Sequence, residues 1–380
     1  MRYSVLLPTR NGGKFINNCI RSILEQGADL ELIVSDNANT DDTAAVLEGW
    51  RNEPRMRILR LDTPVSVTEN WNNALRAARG EYLLMMGDDD CLMPGYFHHM
   101  DAIIDRHGDP DCVIHNAYSF VAPHSIGQDA NSYFGAYHFH YEPALGYEQE
   151  LAAELRHSIV RDMFRFRVRI PLNMQTTLVK RTASILVPGG LFQAPFPDHF
   201  ALNSLLLKAS RWIFTPERLV VVGVSPKSFG HYVYSHQQAN GLAYLGIQSD
   251  FPGRLPGNEL LNGMHTWLDM LLATFPGDLH GVRVDRRGYV RRQVYAWLMQ
   301  LKLGALDPGE LLMRFRQLRF RDWLALSATA LDRESWQRLT QMFSARSKSS
   351  IEQQWSGLTP LPNIRNITEF ANWAARSQNS

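Results

Sequence analysis

Three consecutive aspartates, Asp88, Asp89 and Asp90, follow the apolar run YLLMM at 82–86. Carboxylates repel one another, so such a cluster at a strand end calls for a partner. Hard divalent cations prefer carboxylate oxygens and leave sites for water and substrate phosphates. A Mg²⁺ or Mn²⁺ ion here would neutralise charge that develops on a diphosphate leaving group. The alternative is a solvated acidic turn before a helix near Pro94, whose N-terminus favours nearby negative charge.

Two more polar clusters follow apolar runs nearer the N-terminus. They are Pro8, Thr9, Arg10 and Asn11 at the end of the run 3–9, and Asp36 at the end of the run 30–36. In a parallel sheet, ligands bind beyond the carboxyl ends of the strands. We therefore expect the three clusters to meet at one edge and to form one site.

The elements that must position these residues alternate along the first 120 residues. The pattern predicts strands at 3–9, 30–36, 55–61, 81–87 and 111–120, and helices at 14–27, 39–50, 68–80 and 94–107. Alternation with short loops indicates crossover units and an α/β fold with a mostly parallel sheet. The strands are apolar throughout, which is typical of a sheet covered by helices on both faces.

The rest of the chain predicts two further strands and then a helical region. The strands are expected at 174–181 and 211–224, and helical spacing dominates from about residue 255. We predict an α/β domain over 1–225 and a mainly helical C-terminal region over 226–380 that ends in a loose polar tail. The basic, aromatic stretch 283–297 fits either an anionic membrane surface or an amphipathic helix packed on the catalytic domain or a second subunit, and we favour the packed helix.

Composition excludes several classes of function. The 380 residues carry 39 Lys+Arg against 38 Asp+Glu, and this balance argues against a nucleic-acid partner. Three dispersed cysteines are too few for a disulfide framework or a zinc site. The sequence shows neither a signal peptide nor an apolar run of transmembrane length, so we expect a cytoplasmic protein.

Three segments, "LPTRN", "IVSDNANTDDT" and "GEYLLMMGDDDCLMPG", resemble the motifs of GT-A nucleotide-sugar glycosyltransferases of the family 2 type. The resemblance covers residues 1–120 strongly and extends more loosely to about 225. It implies a GT-A fold, which is a Rossmann-like nucleotide-diphospho-sugar transferase fold. It also implies a metal-dependent, inverting transfer of a hexosyl group from a nucleotide-sugar, with UDP-sugars favoured. The acceptor would be a sugar or a lipid-linked glycan in polysaccharide or glycan biosynthesis.

The resemblance also assigns roles to the polar clusters. Pro8, Thr9, Arg10 and Asn11 would line the nucleoside pocket, Asp36 would accept a hydrogen bond from the base, and Asp41 would be structural. Alignment on Pro94 puts Asp89 and Asp90 at the family's acidic pair, with one near the ribose and one on the metal. Gly87 replaces the first aspartate of the longer family pattern and Asp88 takes its variable place. Which aspartates touch the ion therefore stays open.

The family's catalytic base lies after a "GG" loop, where this chain has "GGLFQAPFPDHFALN" at 189–203. Asp198 is the only acidic residue between Arg181 and Glu217 and is our candidate base. Pro197 departs from the family pattern, which usually has glutamate at this position. The alternative is that Asp198 is the N-cap of a helix over 199–209.

Two late histidines are further candidates. Some GT-A enzymes complete the metal shell with a histidine, and the resemblance suggests His231 for this role, with His236 nearby. A histidine on a loop is more often not a ligand.

Other functions stay open at this point. One is nucleotidyl transfer to a sugar phosphate, although "RNGGKF" only faintly echoes the glycine-rich loop of those enzymes. The other is a non-catalytic nucleotide-sugar-binding subunit of a polysaccharide assembly complex, which the altered "PDH" segment would suit. The C-terminal region would serve the acceptor, homo-oligomer formation or peripheral contact with the inner face of a membrane.

Overall fold

The computed structural model describes residues 1–125, 129–136, 145–233, 248–329 and 358–378, together with residues 241, 246 and 340. The strands are β1 (Tyr3–Thr9), β2 (Leu30–Asn37), β3 (Met56–Leu61), β4 (Tyr82–Met85), β5 (Cys91–Leu92), β6 (Cys112–Val121), β7 (Ser132–Ala136), β8 (Gln149–Glu150), β9 (Thr177–Lys180), β10 (Trp212–Val224) and β11 (Thr359–Leu361).

Helices follow most of the strands in the described part of the chain. They are α1 (Gly13–Leu24), α2 (Thr43–Glu48), α3 (Val67–Ala77), α4 (Tyr96–His107), α5 (Ala153–Phe164), α6 (Arg181–Ser184), α7 (Pro197–Lys208), α8 (Phe229–Val233), α9 (Glu259–Thr274), α10 (Arg286–Lys302), α11 (Pro308–Arg316), α12 (Phe320–Thr329) and α13 (Ile367–Gln378), with a 3₁₀ turn at Met174–Thr176.

The described strands form one sheet in the order β11-β7-β6-β9-β4-β1-β2-β3, and β10 pairs with β6, β5 and β8. The longest ladders are parallel, with β1 between β2 and β4, β3 beside β2, and β10 beside β6. β9 is antiparallel to both β4 and β6, so β6 and β10 run in the same direction as β4. The predicted α/β fold with a mostly parallel sheet is confirmed.

The central strands of the sheet are covered on both faces. All residues of β1, β2 and β4 are buried. Along β1, Val5 and Leu7 enter one hydrophobic core with α1, whereas Leu6 enters the core on the opposite face. Helix α1 buries Ile16, Cys19, Ile20, Ile23 and Leu24, at the helical spacing that the sequence predicted.

The C-terminal helices share a core with the α/β part rather than forming one of their own. Trp267 of α9 and Trp297 of α10 are fully buried in the cluster that also contains Phe200 of α7. Helix α10 contacts the segment after α5, where Arg292 donates a hydrogen bond to the carbonyl of Phe166 at 2.8 Å. This contact agrees with the packed-helix interpretation of 283–297, while the domain boundary near residue 225 stays a prediction.

Residues 358–378 return to the main sheet. Strand β11 pairs antiparallel with β7, and α13 packs against a core that includes Cys91, Met93 and Phe120. The expectation of a loose tail is therefore wrong for these residues, because Phe370 of α13 is fully buried there. Among the described helices, none has the length and hydropathy needed to cross a bilayer.

Candidate functional site

The polar clusters predicted from the sequence meet at one edge of the sheet. Thr9 ends β1 and lies level with Asp36 of β2, because the two strands pair in register. The Thr9 hydroxyl donates to Asp88 Oδ2 at 2.6 Å across the adjacent end of β4. Gly12 makes this approach possible, since a Cβ there would lie 2.2 Å from Asp88 Oδ2. The predicted convergence of Thr9, Asp36 and Asp88 is therefore observed.

The loops after β1 and β2 are tied together by side chains. Asn39 donates to Asp36 Oδ1 at 2.6 Å, and its own side-chain oxygen accepts the backbone N–H of Asn11. Asn11 has a positive φ and accepts the backbone N–H of Thr40 at 2.8 Å. Arg10 donates to the carbonyl of Asn37 at 2.7 Å. Both loops are thus held in one arrangement beside the buried carboxylate of Asp36.

Asp41 joins two helix starts. Its Oδ1 accepts the backbone N–H of Thr43 at 3.1 Å, and its Oδ2 accepts the N–H of Gly13 at 3.1 Å. Burial alone would raise the pKa of Asp41, but hydrogen bonds such as these outweigh burial and leave the pKa lowered. The start of α1 and the start of α2 are therefore linked through one carboxylate, which fits the structural role given to Asp41.

Asp90 is bound by backbone amides on both carboxylate oxygens. Oδ2 accepts the N–H of Gly87 at 2.7 Å, and Oδ1 accepts the N–H of Gly223 in β10 at 2.9 Å. The side chain is 1% exposed. Gly223 must be glycine for this contact, because a Cβ would lie 1.9 Å from the carbonyl oxygen of Asp89. Asp90 thus joins the acidic turn to β10, and this use of both oxygens does not favour the metal role predicted for it.

Asp88 is paired with a lysine that the sequence analysis did not single out. The ammonium of Lys227 lies 3.0 Å from each carboxylate oxygen of Asp88. Burial alone would lower the pKa of Lys227, but the carboxylates of Asp88 and Asp89 outweigh this effect and leave the pKa raised. The same strand-end rule could have identified Lys227, because it follows the carboxyl end of β10, which runs parallel to β6.

Asp89 and Asp90 resist ionisation more than an ordinary aspartate, because the pKa of each is raised. Burial raises the pKa of Asp89, and the neighbouring charge of Asp88 raises it further. Burial likewise raises the pKa of Asp90, with a contribution from the charge of Asp89. The repulsion that the sequence implied is thus only partly relieved by Lys227. A second cation at Asp89 would relieve the rest.

The donor chemistry at this edge fits a hard divalent cation. Mg²⁺ sites commonly use one or two carboxylates and complete the shell with phosphates and water. Within the described residues no three or more His, Cys, Asp or Glu side chains are grouped to hold a metal ion. A cation here would therefore need ligands beyond these carboxylates, and Asp89 would be a better ligand than Asp90, whose oxygens accept backbone amides.

The segment around Asp198 forms a turn that packs on α9. Helix α7 begins at Pro197, so Asp198 lies in its first turn and is not the N-cap, which is Phe196. Asp198 Oδ1 is 3.0 Å from Nδ1 of His199. The His199 ring stacks on Trp267 with its centroid 4.5 Å away. The carboxylate of Asp198 is thereby oriented by a histidine that is itself fixed by an aromatic ring.

A short segment after β10, residues 225–233, connects this turn with the aspartates. Lys227 in the segment binds Asp88, and two residues later Phe229 makes an edge-to-face contact of 4.5 Å with Phe196. Phe196 stands two positions before Asp198. We call the sheet edge that carries Asp88, Asp89 and Asp90 the acidic edge. One stretch of backbone therefore connects the acidic edge to the turn that contains Asp198.

His231 lies in α8 within the same segment and is partly buried. It is not part of a three-residue metal cluster in the described ranges. Its role as a ligand stays a prediction. His236 lies outside the described residues.

Comparison with known proteins gives one family match. Residues 4–161 match the family model described as Glycosyl transferase family 2. The chain is 31% identical over 111 residues to poly(ribitol-phosphate) beta-N-acetylglucosaminyltransferase TarS of Staphylococcus aureus, covering 28% of this chain and 19% of that protein. It is 35% identical over 97 residues to GalNAc(5)-diNAcBac-PP-undecaprenol beta-1,3-glucosyltransferase of Campylobacter jejuni, covering 25% and 31%. The chain thus spans less than a third of the length of either relative.

A solved structure of S. aureus TarS 1–349 with UDP-GlcNAc aligns over 96% of this chain and 98% of that chain. Its TM-score is 0.47 and its sequence identity is 17%.

Residues 4–161, the segment that matches the glycosyl transferase family 2 model, contain all three motifs, as the resemblance predicted. The matched segment also contains Thr9, Asp36 and the three aspartates.

Proposed function

We propose that this chain is a metal-dependent glycosyltransferase that moves a hexosyl group from a nucleotide-sugar, with UDP-sugars favoured, to a glycan or lipid-linked glycan. One observation carries the proposal. The loops after β1, β2 and β4 bring Thr9, Asp36 and Asp88 to one sheet edge, inside a segment that matches the glycosyl transferase family 2 model. That edge is where an α/β sheet binds its ligands.

The donor would lie across the ends of β1 and β2. Residues 8–11 line the nucleoside side, and the linkage between Asn11 and Asn39 keeps this loop beside Asp36. Asp36 accepts a hydrogen bond from the base. Asp89 holds the cation, and Asp90 keeps the acidic turn attached to β10. When bound, the metal supplies electrostatic stabilisation of the leaving diphosphate.

Asp198 is the proposed general base. A carboxylate that takes a proton from the acceptor hydroxyl must be held in a fixed direction, and the contact with His199 supplies that orientation. A base on the acceptor side implies a single in-line displacement and hence inversion at the sugar carbon.

The acceptor class is supported by the names of the relatives. One relative is named for a poly(ribitol-phosphate) acceptor and another for an undecaprenol-diphosphate-linked glycan. A sugar or lipid-linked glycan is therefore the acceptor class to test first. A cytoplasmic setting, contact with the inner face of a membrane and homo-oligomer formation stay predictions.

The substitution Asp198→Asn tests the proposal. The asparagine keeps the size of the side chain but cannot take a proton, so we expect transfer to fall at least a hundredfold. Donor affinity should change less than twofold. Transfer would be measured by mass spectrometry of the product with UDP- and GDP-sugars, Mn²⁺ and a panel of glycan acceptors. Donor affinity would be measured by calorimetry.

Asp269→Asn is the matched control, because Asp269 is exposed on α9. Full turnover by the Asp198 variant would exclude the assigned base. Release of pyrophosphate from a nucleoside triphosphate and a sugar phosphate would instead favour nucleotidyl transfer.

A further inference from the structure

Lys227 makes a close ion pair at the centre of the acidic edge. Its ammonium lies 3.0 Å from both oxygens of Asp88 and 3.3 Å from the carbonyl oxygen of Arg10. The Asp88 side chain is 10% exposed and that of Lys227 is 30% exposed. The pair is therefore shielded from water on most sides, and its charges act on whatever binds next to them.

The backbone around Lys227 holds the ammonium in place. Directly after β10 the N–H of Ser225 donates to the Ser228 hydroxyl at 2.9 Å, and the N–H of Ser228 donates to the carbonyl of Ser225 at 3.0 Å. Ser225 is 1% exposed. This hydrogen-bonded turn fixes the backbone of Lys227 next to the aspartates, whereas a lysine on an open surface would be free to move away.

This inference rests on the proposed function. We propose that Lys227 is a built-in counter-cation of the acidic edge, which competes with the divalent metal when no donor is bound and contacts the donor diphosphate when metal and donor bind together. A metal ion at Asp89 and an ammonium at Asp88 repel each other across neighbouring carboxylates. The negative charge of a bound diphosphate would offset this repulsion, so that the metal ion and the Lys227 ammonium can be bound at the same time. Lys227 therefore couples metal binding to donor binding.

The substitution Lys227→Met tests the competition directly. Without the ammonium, Mn²⁺ should bind the nucleotide-free protein about tenfold more tightly, since one repulsive charge near the ion is gone. UDP should bind less tightly in the presence of Mn²⁺, and the factor by which UDP enhances Mn²⁺ binding should shrink. Free Mn²⁺ would be counted by electron paramagnetic resonance, with and without UDP. Lys227→Arg should keep the wild-type coupling.

Lys14→Met is the matched control. Lys14 is exposed and lies 5.5 Å from the centre of the Phe15 ring, the same ring that Lys227 approaches at 6.0 Å, so its loss changes net charge equally in the same neighbourhood. Equal Mn²⁺ affinity in the wild type and Lys227→Met, or an equal gain in Lys14→Met, would overturn the role of Lys227. Failure of the wild-type protein to bind any nucleotide would instead contradict the proposed function. The two failures are distinguishable, because the Mn²⁺ measurement without nucleotide tests the role of Lys227 alone.

Discussion

The three aspartates, alike in sequence, have different partners in the fold. Asp88 binds Thr9 and Lys227, and Asp90 binds two backbone amides. Asp89 lies between them, with a pKa raised by burial and by Asp88. The edge on which they lie was predictable, because it follows from where parallel strands end. The division of roles among the aspartates was not predictable from the sequence. Gly223 lies in β10 and Lys227 in the turn after it, more than 100 residues further along the chain.

Paired alanine substitutions at Asp89 and Asp90 separate the two roles. Asp90→Ala leaves two buried N–H groups without their acceptor, so we expect a loss of about 2 kcal/mol in the free energy of unfolding. Asp89→Ala should not lower stability but should weaken binding of UDP with Mn²⁺ at least tenfold. Urea denaturation and calorimetry measure the two effects.

The two variants lose the same carboxyl group at adjacent positions, so each serves as the control of the other. Equal effects on stability and on ligand binding would refute the distinction between a ligand and a structural aspartate.

At the scale of elements, the sequence predicted what is local. The helices α1, α3 and α4 and the strands β1 to β4 follow from periodicity and from glycine and proline positions. The return of β11 and α13 to the sheet was missed, because β11 has three residues and carries no alternating pattern. Its partner strand is distant in sequence, as the bond from Ser132 to the carbonyl of Leu361 spans 229 residues.

The substitution Phe370→Ala tests the importance of this return. Phe370 is fully buried, and its ring stacks on Phe120 at 5.2 Å and meets Tyr118 at 5.4 Å. Removing a buried aromatic ring costs about 3–5 kcal/mol, and this is the expected loss in the free energy of unfolding. Urea denaturation gives the value. Ile185→Ala, at a side chain that is 79% exposed, should stay within about 0.5 kcal/mol of the wild type. A Phe370 variant as stable as that control would mean that α13 adds little to the sheet.

At the scale of the whole molecule, acid should lower stability through a buried histidine. Burial, with a smaller contribution from His99, lowers the pKa of His115 from its ordinary 6.5 to about 4, although the hydrogen bond with the Asn116 backbone opposes the shift. Between pH 6.5 and pH 4, His115 is protonated in the unfolded chain but stays neutral in the folded protein. The free energy of unfolding should therefore fall as the pH drops from about 6.5 to about 4, by up to about 3 kcal/mol from this residue.

His115→Phe keeps a ring beside Tyr96, which the histidine meets edge-on at 5.6 Å, but cannot titrate. The difference in unfolding free energy between variant and wild type should change by about 3 kcal/mol across this pH range. Urea titrations at pH 7, 5.5 and 4 measure it. A constant difference would show that His115 does not contribute to acid sensitivity.

The packing of α13 behind Cys91 and Met93 has a consequence for the order of assembly. Contacts between residues far apart in sequence require a large loop to close and form late in folding. A growing chain contains all of residues 4–161 long before the helix that backs the acidic edge has been synthesised. Competence to bind a nucleotide is then acquired only after residues 358–378 have been synthesised, and a chain cut before residue 358 should fold its first strands yet bind donor poorly.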